Sequence, residues 1–179
     1  IQGGVSVVQL REKEASSREL FELAKRVKRV TDKYYVPLII NDRLDICLAV
    51  DAAGVHLGQT DLPCSEARRI LGAEKIIGVS AATPEEAAKA QSDGADYLGV
   101  GAVFATSTKT NTRPVTAETI RAIRSAVDIP FVVIGGVNSE NISGLHGLGI
   151  NGAAVISAII SQPDITAAAR KMRQAAERL

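Results

Sequence analysis

The chain has 179 residues, of which 46% are hydrophobic, and its 21 Lys and Arg residues nearly balance its 20 Asp and Glu residues. This balance provides no field to recruit nucleic acid or an acidic membrane surface, and no apolar run approaches the ~20 residues of a membrane-spanning helix, so we expect a cytoplasmic protein without a leader. The two cysteines lack metal-binding spacing, and we expect unpaired thiols, with Cys47 as a small core residue and Cys64 as an incidental one.

Short runs rich in Val and Ile alternate along the chain with longer segments of helical spacing, which indicates a parallel sheet with helical crossovers. The predicted strands are 5–11, 37–42, 54–58, 76–81, 97–104, 131–137 and 152–159. Capping patterns mark the helix starts, because Ser16 is followed by Glu19 and Thr83 by Glu86, each at the spacing of a capping box. Gly94 ends the second of these helices.

Seven βα units predict an α/β protein with the TIM (β/α)₈ barrel fold in a single domain over 1–179. The common closed form has eight strands, and residues 1–4 read like the end of a helix entering a strand. We therefore expect that the first strand and most of the first helix are missing from this chain. An open barrel of this kind would expose two strand edges.

Polar residues at the ends of the predicted strands are the first candidates for function, because catalytic groups of such barrels gather at the carboxyl edge of the sheet. In the first strand Gln9, Arg11 and Lys13 alternate with apolar residues and share one side. The simple alternative is an exposed strand edge with solvated charges. An amide and two cations at this edge favour anion binding.

The next two predicted strands end in Asn41-Asp42 and in a segment that reaches Asp61. Two carboxylates beside a cationic cluster suit a Mg²⁺ ion that keeps several waters and binds a substrate diphosphate. Each Asp could equally be a helix N-cap. His56 lies within its strand, which favours a structural or supporting role over that of a general base.

The segment 105–114 is rich in hydroxyl groups and contains no large apolar residue. It is either a surface loop or a lid that closes on an anion through Lys109. The Gly-Gly pair at 135–136 and the Ile-Ser pair at 156–157 end the last two predicted strands, where barrels commonly bind phosphate through backbone N–H groups. Their placement favours the lid and a phosphate site.

In chain order, a set of motifs resembles those of the thiamine phosphate synthase family: QLREK at 9–13, ND at 41–42, HLGQTD at 56–61, GVS at 78–80, TSTK at 106–109, IGGV at 134–137 and VISAI at 155–159. The resemblance implies that the pyrimidine diphosphate is bound by Gln9, Leu10, Arg11, Glu12, Lys13, Asn41, Ser80 and Lys109. It implies a thiazole phosphate site formed by Thr106, Ser107, Thr108, Gly136, Ile156 and Ser157. It further implies Mg²⁺ ligation by Asp42 and Asp61, and catalytic roles for Arg11, Lys13 and Lys109.

The implied reaction joins 4-amino-2-methyl-5-hydroxymethylpyrimidine diphosphate to 4-methyl-5-(2-phosphoethyl)thiazole and releases diphosphate. Because the thiazole nitrogen attacks with a free lone pair, no base is required, and a dissociative substitution is expected. Three alternatives remain: a phosphosugar isomerase or epimerase using Lys13 and Asp42, a thiazole tautomerase, and a non-catalytic phospho-ligand-binding barrel. The expected partners are small-molecule substrates, and homo-oligomerisation is left open.

Overall fold

The computed structural model describes residues 1–105 and 114–179. Within these residues seven strands form one sheet: β1 (Val8–Leu10), β2 (Leu38–Asn41), β3 (Gly54–Leu57), β4 (Ile76–Ala81), β5 (Tyr97–Val100), β6 (Phe131–Ile134) and β7 (Gly152–Ala154). All six neighbouring pairs are parallel, and the strands lie in the order of the sequence from β1 to β7. An order without reversal is that of a barrel sheet and not of a doubly wound sheet, in which the order reverses at a switch point.

Helices connect these strands and cover one face of the sheet. The described α-helices are α1 (Ser17–Lys33), α2 (Leu44–Ala49), α3 (Cys64–Leu71), α4 (Pro84–Ser92), α5 (Ala117–Ala126), α6 (Ser157–Ile160) and α7 (Ile165–Ala176), and a 3₁₀ helix spans Ile142–Leu145. None of the helices in these two ranges has the length and apolar character needed to cross a membrane.

Local sequence signals explain where the helices begin. The predicted capping box of α1 is present, because the Ser16 hydroxyl accepts a hydrogen bond from Glu19 N–H while the Glu19 carboxylate accepts one from Ser16 N–H. Thr83 caps α4 as predicted, and the Glu86 carboxylate accepts a hydrogen bond from Ala82 N–H, one residue before the cap. Gly94 follows α4 with a φ of 95°, the left-handed conformation expected after a helix end.

The predicted strand positions are confirmed, whereas four predicted bounds are wrong by three or more residues. The first strand begins at Val8, the fifth ends at Val100, the sixth ends at Ile134, and the last ends at Ala154. Residues predicted to extend the last strand instead start α6 at Ser157. Periodicity alone cannot separate a short apolar strand from a buried helical turn, and this ambiguity produced the error. The absence of an eighth unit stays a prediction.

The hydrophobic core lies between the sheet and its helices. Phe131, Leu98 and Ile120 are fully buried there and belong to one continuous cluster. Cys47 and Cys64 are unpaired, as expected, but the incidental role predicted for Cys64 is wrong because its side chain is buried in this core. Burial raises the pKa of both thiols.

The other face of the sheet is the barrel interior, and it carries polar residues and glycines. Asn41, His56, Gly78 and Tyr97 are successive partners across four neighbouring strands, from β2 to β5. Since side chains alternate between the two faces of a strand, this row places an amide, an imidazole and a phenol on one surface. The fold therefore prepares a polar interior beneath the carboxyl edge of the sheet.

Candidate active site

The cationic residues after β1 lie at the carboxyl edge of the sheet. The Arg11 Nε atom is buried and has no hydrogen-bond partner among the described residues. A buried donor without an acceptor is unfavourable, so this atom fits a ligand that supplies one. The Lys13 ammonium lies 2.9 Å from Asp42 Oδ2. The predicted anion-binding residues are thus at the expected edge, and one of them contacts a predicted metal ligand.

The rest of the predicted QLREK motif is divided between two environments. The Gln9 side chain hydrogen-bonds the Tyr97 hydroxyl on β5. Leu10 packs against the hydrophobic core, so its side chain lies on the helix side of the sheet. Glu12 accepts a hydrogen bond from Glu14 N–H within its own turn, with its carboxylate 2.8 Å from that nitrogen. Only the alternate residues of this motif therefore present side chains to the interior.

Asp42 and Asp61 lie next to each other at the ends of β2 and β3. Asp42 has a φ of 62°, and its N–H donates to the His56 carbonyl at 2.8 Å, while Asp61 Oδ2 accepts from Gly58 N–H at 2.6 Å. Burial raises the pKa of Asp61, and the adjacent Asp42 carboxylate raises it further, whereas the Gly58 hydrogen bond and the Lys13 charge oppose this shift.

This carboxylate pair fits a divalent cation. Two carboxyl groups in contact repel each other when both are ionised, and a cation between them removes that cost. Neither residue is a helix N-cap, because α2 is preceded by Arg43 and α3 by Pro63, so the alternative role is wrong for both. No group of three or more His, Cys, Asp or Glu suited to a metal occurs in ranges 1–105 and 114–179. A Mg²⁺ ion here would take further ligands from substrate and water.

His56 connects this edge to the barrel interior. Its side chain is 7% exposed, its Nδ1 atom lies 2.9 Å from the Tyr97 hydroxyl, and its Nε2 atom lies 2.9 Å from Ser80 Oγ. The Ser80 carbonyl also accepts a hydrogen bond from Gln59 Nε2 at 2.6 Å. These contacts agree with the supporting role predicted for His56.

Tyr97 is the residue of this site that the sequence analysis missed. It begins an apolar strand, where it resembles a core residue. The sequence holds a weak indication of this contact, because glycines occur within the two strands concerned, at positions 78 and 99. In the strand register Gly78 faces Tyr97 and Gly99 faces Ser80. Glycine within a strand often marks a close approach of another group.

The predicted phosphate end lies on the neighbouring strands β6 and β7. Gly135 and Gly136 follow β6 with φ angles of 86° and 66°, a conformation that favours glycine. Ile134 pairs with Ala154, so residues 156–157 follow β7 beside this glycine pair. Ile156 precedes α6, and Ser157 is its first residue. The remaining predicted members, Thr106, Ser107, Thr108 and Lys109, and the predicted lid lie outside the described residues.

Comparison with known proteins agrees with this geometry. The family model for thiamine monophosphate synthase matches residues 1–159. The chain is 58% identical over 172 residues to the thiamine-phosphate synthase of Ruminiclostridium cellulolyticum, covering 96% of this chain and 82% of that protein. It is 54% identical over 173 residues to the thiamine-phosphate synthase of Alkaliphilus oremlandii, covering 97% and 83%.

Solved structures show the same likeness. The thiamine phosphate pyrophosphorylase from Pyrococcus furiosus superposes with a TM-score of 0.91 at 40% identity, over 98% of this chain and 85% of that one. A 3-hexulose-6-phosphate synthase superposes with a TM-score of 0.68 at 18% identity, over 96% of this chain and 87% of that chain, and shows the fold alone. These matches confirm the barrel class and the resemblance drawn from the motifs. The chain belongs to the thiamine monophosphate synthase family.

Proposed function

We propose that this chain is a thiamine phosphate synthase, which joins 4-amino-2-methyl-5-hydroxymethylpyrimidine diphosphate to 4-methyl-5-(2-phosphoethyl)thiazole. The observation that carries the proposal is the group formed by Lys13, Asp42 and Asp61, together with the buried Nε of Arg11 two residues before Lys13, which has no hydrogen-bond partner in ranges 1–105 and 114–179. A dense charge cluster of this kind suits a diphosphate with a divalent cation better than a single phosphate. The names of the similar proteins from Ruminiclostridium cellulolyticum and Alkaliphilus oremlandii support it.

The same group supports the roles assigned to the individual residues. Arg11, Lys13 and Lys109 would neutralise charge on the departing diphosphate, while Gln9, Asn41 and Ser80 would hold the pyrimidine. Asp42 and Asp61 would hold Mg²⁺, which supplies further neutralisation of the leaving diphosphate when bound. Gly136, Ser157 and the hydroxyl residues of 106–108 would receive the thiazole phosphate.

A dissociative substitution fits these residues. The thiazole nitrogen already carries a lone pair, so the protein needs no general base, and His56 is engaged with Tyr97 and Ser80. The bond between the pyrimidine methylene and the diphosphate oxygen breaks with its electron pair leaving on oxygen. The electron-rich pyrimidine ring then carries the positive charge until nitrogen attacks. Cationic side chains that are already in position stabilise the developing anion, because the site does not have to reorganise as the bond breaks.

The partners proposed are therefore small molecules, and neither nucleic acid nor a membrane. The near balance of 21 basic and 20 acidic residues supports this choice, because the chain as a whole has no large field of one sign. We also propose a cytoplasmic location, in keeping with two unpaired cysteines.

The direct test incubates the protein with both substrates and Mg²⁺ and measures thiamine phosphate and diphosphate together. Asp42→Asn and Asp61→Asn should each reduce turnover by at least about 100-fold, because a Mg²⁺ ion with few protein ligands cannot lose one. Asp128→Asn is the matched control, since Asp128 is exposed and precedes β6 at the opposite edge. Equal release of diphosphate by all three variants would refute the metal site.

The same assay separates the alternatives. A tautomerase or a non-catalytic binding protein would bind thiazole phosphate without releasing diphosphate, and an isomerase would turn over a phosphosugar instead. For the mechanism, a pyrimidine with an electron-withdrawing trifluoromethyl group in place of its methyl group should raise the barrier by about 4 kcal/mol, or about 1000-fold in single-turnover rate. A nearly unchanged rate would exclude the dissociative path while leaving the substrates unchallenged.

A further inference from the structure

The contacts among Ser80, His56 and Tyr97 form a continuous hydrogen-bonded chain inside the barrel. His56 bridges the other two side chains with 2.9 Å contacts from its two ring nitrogens. Its ring and the Tyr97 ring also lie with centroids 5.5 Å apart at a tilt of 41°. Since the His56 side chain is buried, the protein and not bulk water determines which ring nitrogen carries the hydrogen.

Two glycines make the space that this chain occupies. A methyl group at Gly99 would lie 3.0 Å from His56 Cε1, and one at Gly78 would overlap the Tyr97 ring and hydroxyl. Both glycines are strand residues whose side chains would face the interior. The Tyr97 ring therefore fits only because position 78 has no side chain, and the glycine at position 99 leaves clearance for the His56 ring.

The chemistry of the partners gives the hydrogen bonds a direction. A phenol is a better donor and a poorer acceptor than an aliphatic hydroxyl, because its ring delocalises the oxygen lone pair. Tyr97 therefore favours donation to His56 Nδ1, whereas Ser80 favours acceptance from His56 Nε2–H. Burial raises the pKa of Tyr97 to about 12, so its hydroxyl keeps its hydrogen at neutral pH.

Gln9 supports the same direction from the other side of the barrel. Its contact with Tyr97 opposes the rise in the Tyr97 pKa, and the Gln9 amide N–H is able to donate to the phenol oxygen while the Tyr97 hydroxyl donates to His56. If His56 Nδ1 also donated to that oxygen, the Tyr97 hydroxyl hydrogen would need a different acceptor. Donation from Gln9 to Tyr97, from Tyr97 to His56 and from His56 to Ser80 satisfies each group in turn.

We propose that Tyr97 and His56 are positioning residues. Tyr97 holds His56 as its neutral Nε2–H tautomer, and His56 in turn directs the hydroxyl hydrogen of Ser80 toward a lone-pair acceptor of the bound pyrimidine diphosphate. Once Ser80 accepts from His56, its own hydrogen is left to donate. The acceptor would be a ring nitrogen or a diphosphate oxygen. The identity of this ligand rests on the proposed function, whereas the tautomer does not.

A consequence for specificity follows. A hydroxyl that is held as a donor favours a ligand with an acceptor at that position and rejects one that presents an N–H group there, because two donors would face each other. Tyr97 and His56 thus influence ligand choice through the Ser80 hydroxyl.

The tautomer can be measured by nitrogen NMR on the substrate-free protein at pH 8. The chain has two histidines, and His146 is exposed, so His146→Gln assigns the signals without altering the interior. We expect His56 to show a protonated Nε2 and an unprotonated Nδ1. A protonated Nδ1, or an even mixture like that of an exposed histidine, would overturn the proposal.

Kinetics then test whether the tautomer matters. Tyr97→Phe keeps the ring and removes the donor, so we expect loss of the tautomer preference and a fall in kcat of about 10- to 100-fold, as when a group that orients a ligand-binding residue is removed. The KM for thiazole phosphate should not change. Tyr34→Phe, at the exposed end of α1, is the control and should match the wild type. Normal kcat in Tyr97→Phe would overturn the positioning role.

A double-mutant cycle shows whether Tyr97 acts through Ser80. In a Ser80→Ala background, Tyr97→Phe should add less than about a twofold effect, since residues of one network are not independent. Effects that multiply would overturn the proposal. An inactive wild type would refute the proposed function alone, because the NMR measurement uses no substrate and still decides the tautomer.

Discussion

Substituting Gly78 by alanine tests whether the Tyr97 ring lies where the structure has it. The added methyl group would overlap the ring by about 1 Å or more relative to an ordinary contact of ~3.5 Å. The ring is rigid and is held by His56, so it cannot give way without moving the network. Gly78→Ala should therefore destabilise the protein and disturb the tautomer of His56.

The magnitude follows from two opposing effects. Overpacking a well-packed site costs about 1–3 kcal/mol. Replacing glycine by alanine restricts the unfolded chain and returns about 0.4–1 kcal/mol, since Gly78 lies in a regular strand without a positive φ. The net loss should be about 1–2 kcal/mol. For a protein of this size that corresponds to a fall in Tm of about 2–8 °C.

The assay is urea unfolding followed by far-ultraviolet circular dichroism. Gly144→Ala is the matched control, because a methyl group there meets no atom within 4 Å. In a Tyr97→Ala background, where the ring is gone, Gly78→Ala should cost almost nothing, which gives a coupling free energy of at least about 1 kcal/mol. Equal stability of Gly78→Ala and Gly144→Ala would refute this packing.

Two further predictions concern the frame of the barrel. Arg68→Lys should lower the free energy of unfolding by about 1–3 kcal/mol, because Arg68 donates to three backbone carbonyls and to Asp96, and a lysine cannot make all of these hydrogen bonds. The control is Arg69→Lys: the Arg69 side chain is 72% exposed, and its substitution should change the free energy of unfolding by less than about 0.5 kcal/mol. Cys47 and Cys64 should react with Ellman's reagent at pH 8 at least ~10-fold more slowly in the folded protein than in urea, because burial raises both pKa values and leaves less thiolate. Because those thiols resist ionisation in the folded protein, the free energy of unfolding should fall as the pH rises above the ordinary thiol pKa of ~8.5. Reaction of the folded protein with Ellman's reagent as fast as in urea would contradict the burial of the two thiols.

Several elements could be predicted because their signals are local. The strand Ile76–Ala81 has the bounds predicted from its run of apolar and β-branched residues. The capping box of Ser16 and Glu19 involves residues only three positions apart. The last strand was predicted too long, because the apolar segment after Ala154 fits a helical turn as well as a strand.

The candidate site was predictable where it depends on one rule of the fold. Strands that run in parallel bring their carboxyl ends to one edge, which places Lys13, Asp42 and Asp61 together. The rule gives the neighbourhood but not the contacts. The pairing of Lys13 with Asp42, and the hydrogen bond from Gly58 to Asp61, depend on the turns after each strand.

By itself, the sequence determined the alternation of strands and helices, the caps, and the set of polar residues at the strand ends, because each depends on neighbouring residues or on the direction of parallel strands. The tertiary structure decided which polar groups meet inside the barrel. His56 and Tyr97 are 41 positions apart, and only the register from β3 to β5 sets them in one row across Gly78. A shift of one residue would turn either side chain to the opposite face of the sheet, and no local pattern specifies that register.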